Sequence, residues 1–448
     1  MQTLEQLESG QLIGCRELRL SCGLTAFPRA ILDLADTLEL LDLSGNQLSE
    51  LPDDFARLRQ LRVLFASDNQ FTELPAVLGQ CPQLSMIGFK ANRIEHVSAS
   101  ALPPGLRWLI LTDNQVAFVP SAIERCTKLQ KLMLAGNRLQ SLPAELAQCQ
   151  QLELLRVSAN PLDALPDWLL QLPRLSWLAF SGTPLVAAQE SLALESAAIA
   201  HMPWSQFELG PLLGQGASGV IYSAQHRAPN PADAASVTST VAVKIFKGQV
   251  TSDGLPASEM AAALRVGVHP HVIPVLAPIS DHPHLAQGLV MPLVDPEFVN
   301  LAGPPSLATC TRDVYAPNTR FDVATVRRML RGIASAAAHL HTRGLMHGDL
   351  YAHNILHDGQ GQVLLGDFGA ASFLPTDNPA QALALQQLEV RAFGCLLEEL
   401  MQRSHVQPHE QAEFEAWVQI QTQCMREDPQ SRPVFADIEG MLSQTSTA

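Results

Sequence analysis

An aspartate and an asparagine five positions apart, Asp349 and Asn354 in LMHGDLYAHNIL (345–356), are the residues of this 448-residue chain best spaced for chemistry. Asp349 can accept a hydrogen bond from an attacking hydroxyl, and Asn354 can ligate Mg²⁺ from the same tight loop. The chemistry this suggests is phosphoryl transfer, which also needs a phosphate cradle, a cation and a second metal-binding acid. GQGASG (214–219) is the candidate cradle. A lone GxGxxG also opens helices in dinucleotide-binding folds. Here VIYSA follows, β-branched and aromatic, so the loop joins two strands and its N–H groups can cover phosphates. VAVK (241–244) ends an alternating strand on Lys244, one of only five lysines, which argues against a casual surface role. The helical stretch SEMAAALRVG brings Glu259 as its partner, and LLGDFGAAS supplies Asp367 as the second Mg²⁺ ligand. GLVMPLVD (288–295) fits a strand and hinge against adenine, with Met291 at its inner end.

The elements around these residues are of matching type. Trp204–Leu213 starts a strand ahead of the glycine loop, and FDVATVRRMLRGIASAAAHLHTRG (321–344) has helical periodicity leading into the Asp349 loop. GQGASGVIY, VAVK, HGDLYAHN, DFG and CMREDPQSRP (424–433) follow one another in the order of a eukaryotic-type protein kinase domain, which residues 204–445 resemble. The resemblance implies a two-lobed α+β fold that uses ATP and Mg²⁺. It makes Asp349 the catalytic acid/base, Lys244–Glu259 the phosphate-positioning ion pair, and Asn354 and Asp367 the metal ligands. Gly214, Gln215, Gly216, Ala217, Ser218 and Gly219 would cover the nucleotide. Ile221, Ala242 and Leu356 would sandwich adenine beside Met291 and Leu293.

Several positions depart from that pattern. Gly348 stands where many such kinases place arginine, so an activation-loop phosphate has no cation there, and constitutive activity is the simpler expectation. Tyr351 replaces the lysine of serine/threonine kinases. The segment after DFG is short and lacks APE, and Glu389 takes the place of the aspartate that usually opens the following helix. Arg432 therefore lacks the APE glutamate it would pair with by resemblance, and Ser372 and Thr376 are the only hydroxyls between Phe368 and Glu389.

The first half is repetitive. LELLDLSGNQLSELP (38–52), LRVLFASDNQFTELP (61–75), LQKLMLAGNRLQSLP (129–143) and LELLRVSANPLDALP (152–166) share one pattern, with asparagines at 46, 69, 92, 114, 137 and 160. Residues 16–185 resemble the leucine-rich repeat, LxxLxLxxNxLxxLP. Alternate leucines of LxxLxL point one way along a short strand, the asparagine amide serves backbone groups at the turn, and stacking creates the core. Cys81, Cys126 and Cys149 recur at one repeat position and read as small buried hydrophobes. On the outward strand positions, Phe65, Met86, Trp108, Ile110 and Met133 form an apolar set expected to face solvent unless covered, and so to bind a protein partner. The second domain of the same chain is another possible cover.

The fold expected is an α/β leucine-rich repeat solenoid followed by an α+β two-lobed kinase-like domain. Its parts are a cap at 1–15, the solenoid at 16–185, a cap or linker at 186–203, and the kinase-like domain at 204–448. Net charge is −15, with 21 acids against 15 bases in residues 1–200 and 23 against 14 in the rest, so neither half has a nucleic-acid or anionic-membrane footprint. Eight cysteines without a CxxC pair argue against metal clusters and disulfide frameworks. An acidic start and the lack of a long apolar run suggest a cytoplasmic, reduced protein. Arginine (24) far exceeds lysine (5), which hints at a GC-rich, bacterial genome. The function expected is an ATP- and Mg-dependent protein kinase, serine/threonine by default, with the repeats docking a protein substrate or regulator. The alternatives are a pseudokinase scaffold and a small-molecule kinase, the latter because HGD and a missing APE also occur in aminoglycoside- and choline-kinase-like enzymes.

Overall fold

The computed structural model describes residues 2–195, 201–216, 218–228, 237–247, 250–251 and 253–444. It comprises two compact units, Met1–Leu175 and Ser176–Ala448. The division falls inside the 16–185 stretch that carries the repeat pattern.

The first unit opens with helix α1 (Leu4–Glu8), where Thr3 and Gln6 form a reciprocal capping box. Strands β1 (Glu17–Arg19), β2 (Leu40–Asp42), β3 (Val63–Phe65), β4 (Met86–Gly88), β5 (Trp108–Ile110), β6 (Lys131–Met133) and β7 (Leu154–Arg156) then pair in parallel, each in register with the next. The central residues Leu18, Leu41, Leu64, Ile87, Leu109, Leu132 and Leu155 make one buried apolar row. Burying each such side chain is worth about 1.5–3 kcal/mol. One strand could not do this alone, because its leucines need the neighbouring repeat to exclude water. Short 3₁₀ turns follow the repeat prolines, as at Ala144–Gln148 after Pro143.

The asparagines hold the turns together. Asn137 donates from Nδ2 to the carbonyls of Leu111 (2.9 Å) and Leu134 (3.0 Å), and its Oδ1 accepts the Val116 N–H (2.9 Å). Asn46, Asn69, Asn92, Asn114 and Asn160 make the same kind of bridge. Cys81, Cys126 and Cys149 are buried, and burial pushes their thiols up to about 11, 11 and 12. The expected solvent-facing apolar set is a correction: Met86, Trp108 and Met133 are buried, and Phe65 and Ile110 are half-buried. Close spacing of parallel strands packs neighbours on that face against one another. Phe65 lies over Gly88, and the Lys131 ammonium sits 4.8 Å from the Trp108 ring centre.

The second unit begins with strand β8 (Trp177–Ala179) and helix α2 (Ala187–Glu195). Strands β9 (Phe207–Gln215), β10 (Gly219–Ala228) and β11 (Val237–Phe246) form an antiparallel meander, and β12 (Ala277–Ser280) and β13 (Gly288–Pro292) complete its edge beside β11. Ala224, Val241, Val243, Ile279 and Val290 fill the core on one face of this sheet. Helix α3 (Pro256–Val266) belongs to the same lobe, with Pro256 in its first turn, where no backbone donor is needed.

The other lobe is built on α4 (Val323–Thr342), α5 (Pro379–Met401), α6 (Gln411–Cys424) and α7 (Phe435–Gln444). Helix α4 starts where Asp322 caps the Thr325 N–H (2.6 Å), and its apolar stripe from Val326 through Ile333 to Leu340 is buried. Helix α5 starts at Pro379, well before Glu389, with Asn378 capping the Gln381 N–H. Glu389 therefore lies within this helix instead of opening it. The reason is local: Asn-Pro is a strong start signal, and the alanine- and leucine-rich run after it continues the helix without a break.

Candidate functional site

The β9–β10 hairpin, β11 and α3 set out the upper half of the site. Ile221 pairs with Lys244 across β10 and β11, and Ala242 pairs with Met291 across β11 and β13. Since side chains alternate along a strand, Ile221, Ala242, Lys244 and Met291 share one face of the sheet. Ala242 is buried, Ile221 and Met291 are half-buried and Leu293 is exposed. Gly214 is half-buried, Gln215 and Gly216 are exposed and Ser218 is half-buried, whereas Ala217 lies outside the described residues. A Cβ on Gly219 would come within 2.6 Å of the Ile245 carbonyl oxygen, so only glycine lets the hairpin close onto β11 here.

Lys244 and Glu259 form a buried ion pair. Burial opposes the lysine charge, but the carboxylates of Glu259, Asp367 and Asp253 outweigh it and hold the Lys244 pKa above its ordinary value. Asp367 is therefore within electrostatic reach of the lysine. Its backbone is left-handed (φ 54°), its Oδ1 accepts the Gly369 N–H (3.1 Å), and its side chain is exposed. Phe368 behind it is buried against the His347 ring.

The lower half is the loop that follows α4. Asn354 donates from Nδ2 to both the backbone oxygen (2.9 Å) and Oδ2 (2.8 Å) of Asp349. With Nδ2 so engaged, the amide oxygen is the atom left to face a cation. His347 ties the loop down: its Nε2 bonds the Gly366 carbonyl (2.9 Å), and its Nδ1 accepts the Asp349 N–H (3.2 Å). Asp313 accepts the His353 backbone N–H (2.9 Å) and lies 2.8 Å from its Nδ1. Leu356, half-buried, pairs with Asn300 and Leu364 in the small sheet next to the loop.

Asn354 and Asp367 offer one neutral and one anionic oxygen donor. No cluster of three His, Cys, Asp or Glu side chains suited to a metal occurs among the described residues. Such a donor set fits Mg²⁺, which takes one or two protein oxygens and completes its shell with phosphate oxygens and water.

The departures in sequence acquire structural causes. Gly348 has φ 72°, and a Cβ there would lie 2.4 Å from the Ala370 oxygen and 2.7 Å from the Leu178 oxygen. Arginine cannot occupy this position. The Gly348 N–H donates to Glu389 Oε1 (2.6 Å), while Glu389 Oε2 bonds His341 Nε2 (2.8 Å). Burial alone would raise the Glu389 pKa, but His341, His347 and the Gly348 N–H hold it below the ordinary carboxylate value. Arg432 is buried and donates through Nε (3.0 Å) and Nη2 (2.9 Å) to the Arg426 carbonyl. Ser372 is fully buried, whereas Thr376 is exposed.

Two residues near the site were not singled out from sequence. Trp177 of β8 stacks on Tyr351 with ring centres 4.2 Å apart and planes 7° from parallel, and donates from Nε1 to the Leu350 oxygen (3.2 Å). Glu190 of α2 accepts from the Gly182 N–H (2.8 Å) and from Ser258 Oγ (3.1 Å), next to Glu259. The available signal for Trp177 was the pair of departures at Gly348 and Tyr351; no signal marked Glu190.

Residues 207–392 match the protein kinase domain family, and residues 37–58 and 127–185 match leucine-rich repeat families. Similar curated proteins include CBL-interacting protein kinase 22 of Oryza sativa subsp. japonica, 32% identical over 180 residues (38% of this chain, 38% of that protein). Aurora kinase B of Drosophila melanogaster is 28% identical over 176 residues (39% of this chain, 48% of that protein). A leucine-rich repeat protein of Leptospira interrogans aligns at 30% identity and TM-score 0.38, covering 40% of this chain and 46% of that one. The chain spans less than half the length of these two curated relatives. No helix among the described residues is long and apolar enough to cross a membrane. By these matches the chain carries leucine-rich repeats followed by a protein kinase domain.

Proposed function

We propose that the chain is an ATP- and Mg-dependent protein kinase. The observation that carries this reading is the joint arrangement of the buried Lys244–Glu259 pair, the Asp367 carboxylate that comes up beside Glu259 at Gly369, and the Asn354 amide hydrogen-bonded to Asp349. Lys244, its charge supported by Glu259, holds phosphate oxygens. The N–H groups of the 214–219 loop cover them. Asp349, oriented by Asn354, accepts the proton of the attacking hydroxyl. Asn354 and Asp367 would hold Mg²⁺, which supplies neutralisation of the charge on the transferring phosphoryl group. Little covalent work is asked of the protein, so positioning and charge supply most of the rate.

Leucine-rich repeats generally mediate protein interactions, and we assign the first unit to docking a protein substrate or regulator; cytoplasmic residence belongs to the same reading. Hydroxyl specificity defaults to serine/threonine. The short stretch from Gly369 to Asn378 before α5 favours a second reading, a small-molecule acceptor, because little chain is left to hold a peptide.

The test is transfer from labelled Mg-ATP by the intact chain and by Asp349→Ala, read by mass spectrometry on the chain itself and on a generic protein. Transfer to Ser, Thr or Tyr that vanishes in the variant supports the kinase reading. ATP binding without any transfer to protein removes it and leaves the small-molecule acceptor or a scaffold.

A further inference from the structure

In the second unit, one short stretch touches the loop after Asp349, the segment after DFG, helix α5 and helix α3. Trp177 is 1% exposed, lies flat on Tyr351 and donates to the Leu350 oxygen; both partners immediately follow Asp349. Phe180 N–H donates to Ser372 Oγ (3.0 Å) in the segment after DFG, and Arg391 of α5 donates to Ser176 Oγ (2.8 Å). Beyond this strand, Glu190 of α2 bonds Ser258, so α2 is fastened to α3 one residue from the Glu259 that holds Lys244.

We propose that Ser176–Glu195 is a built-in positioning element of the phosphotransfer site, with Trp177 fixing the Asp349 loop and Glu190 fixing α3. This rests on the phosphotransferase reading above. Gly348 supports the assignment: the Leu178 backbone oxygen takes the space a side chain at that position would need. An arginine-bound phosphate on the following segment is thereby excluded, and the fully buried Ser372 is held by Phe180 instead. Tyr351 gives up the charge of a lysine and gains a stacking surface for Trp177. An aromatic stack and one hydrogen bond to a loop carbonyl restrict the loop without contact to any reacting atom. Trp177 and Glu190 are thus positioning residues.

The test uses the full chain. Trp177→Leu, Trp177→Phe, Tyr351→Leu, the Trp177→Leu/Tyr351→Leu pair and Glu190→Ala are compared for kcat, KM for ATP, and hydrogen exchange at residues 349–354 and along α3. Trp177→Leu is expected to lower kcat by about ten- to a hundredfold with KM for ATP nearly unchanged. Trp177→Phe should restore most of the loss, and the double variant should lose no more than either single one. Glu190→Ala should speed exchange in α3 and raise KM for ATP. Exchange at 349–354 should quicken in Trp177→Leu under conditions where the fold melts as wild type. Unchanged kcat and exchange in Trp177→Leu, or additive losses in the double variant, overturn the proposal. If wild type transfers no phosphate, the kinase reading fails, and the exchange measurements decide on positioning by themselves.

Discussion

At the scale of single residues, Gly348 shows how one side chain reports its surroundings. A glycine in place of arginine reads from sequence as the loss of a switch. In the fold it is a steric requirement, set by φ 72° and by two backbone oxygens where a Cβ would go. Gly348→Ala should therefore destabilise the second unit by at least ~1–2 kcal/mol from the left-handed backbone, with the clash added. Thermal unfolding measures this, and an unchanged midpoint would sink the steric account. Lys244 makes the complementary point. Lys244→Met removes the cation and leaves Glu259 buried without its partner, so both nucleotide binding and stability should fall. Retained ATP affinity in that variant would count against the assigned role of the lysine.

The repeat asparagines and helix α5 show what happens at the scale of elements. Each asparagine bridges two turns, and its value depends on how far water is excluded. Asn137→Ala leaves the Val116 N–H without its buried partner and takes one of two amide donors from the Leu111 and Leu134 carbonyls, which keep Asn114 and Asn160, at a cost of about 1–3 kcal/mol. Asn92 makes similar bonds but is only half-buried, so Asn92→Ala should cost less. Denaturant midpoints of the two variants decide this; equal losses would contradict the dependence on burial. Helix α5 reaches back to Pro379 because nothing in the run from Pro379 to Leu388 breaks it. The segment after DFG shrinks accordingly, and Ser372 is drawn into the core while Thr376 stays outside.

At the scale of the whole second unit, Glu389 links α5, α4 and the loop before Asp349 in one buried contact. Its folded pKa lies below the unfolded value, so the unfolded chain takes up the proton first. The stability it adds is full above the unfolded carboxylate value of about 4.3 and is lost as pH falls through the folded value. Glu389→Ala should cost ~3–5 kcal/mol at neutral pH, because His341 and the Gly348 N–H lose a buried partner. The gap between wild type and variant should narrow as pH drops below about 4.3. Chemical denaturation from pH 7 to pH 3.5 follows it, and a gap that is constant across this range would refute the linkage.

Much of this molecule was legible in its sequence. The period of the repeats, the alternation within each LxxLxL strand and the order of GQGASG, VAVK, HGDLYAHN and DFG are local patterns. Local patterns determine element type, and their order determines which lobes form. The bridging role of the asparagines and the pairing of Lys244 with Glu259 followed from the chemistry of the side chains. Exposure and long-range neighbours did not, since they depend on which surfaces meet. Periodicity places Met86, Trp108 and Met133 on an outward strand face but cannot say that they are buried there. No spacing rule connects Trp177 to Tyr351 or Glu190 to Ser258, which are far apart along the chain. The sequence alone determined the repeat fold and the kinase fold, and it named the residues proposed here to carry the reaction. Only the tertiary structure decided why Gly348 and Tyr351 depart from the kinase pattern, because the cause is a packed strand that the local sequence around them does not contain.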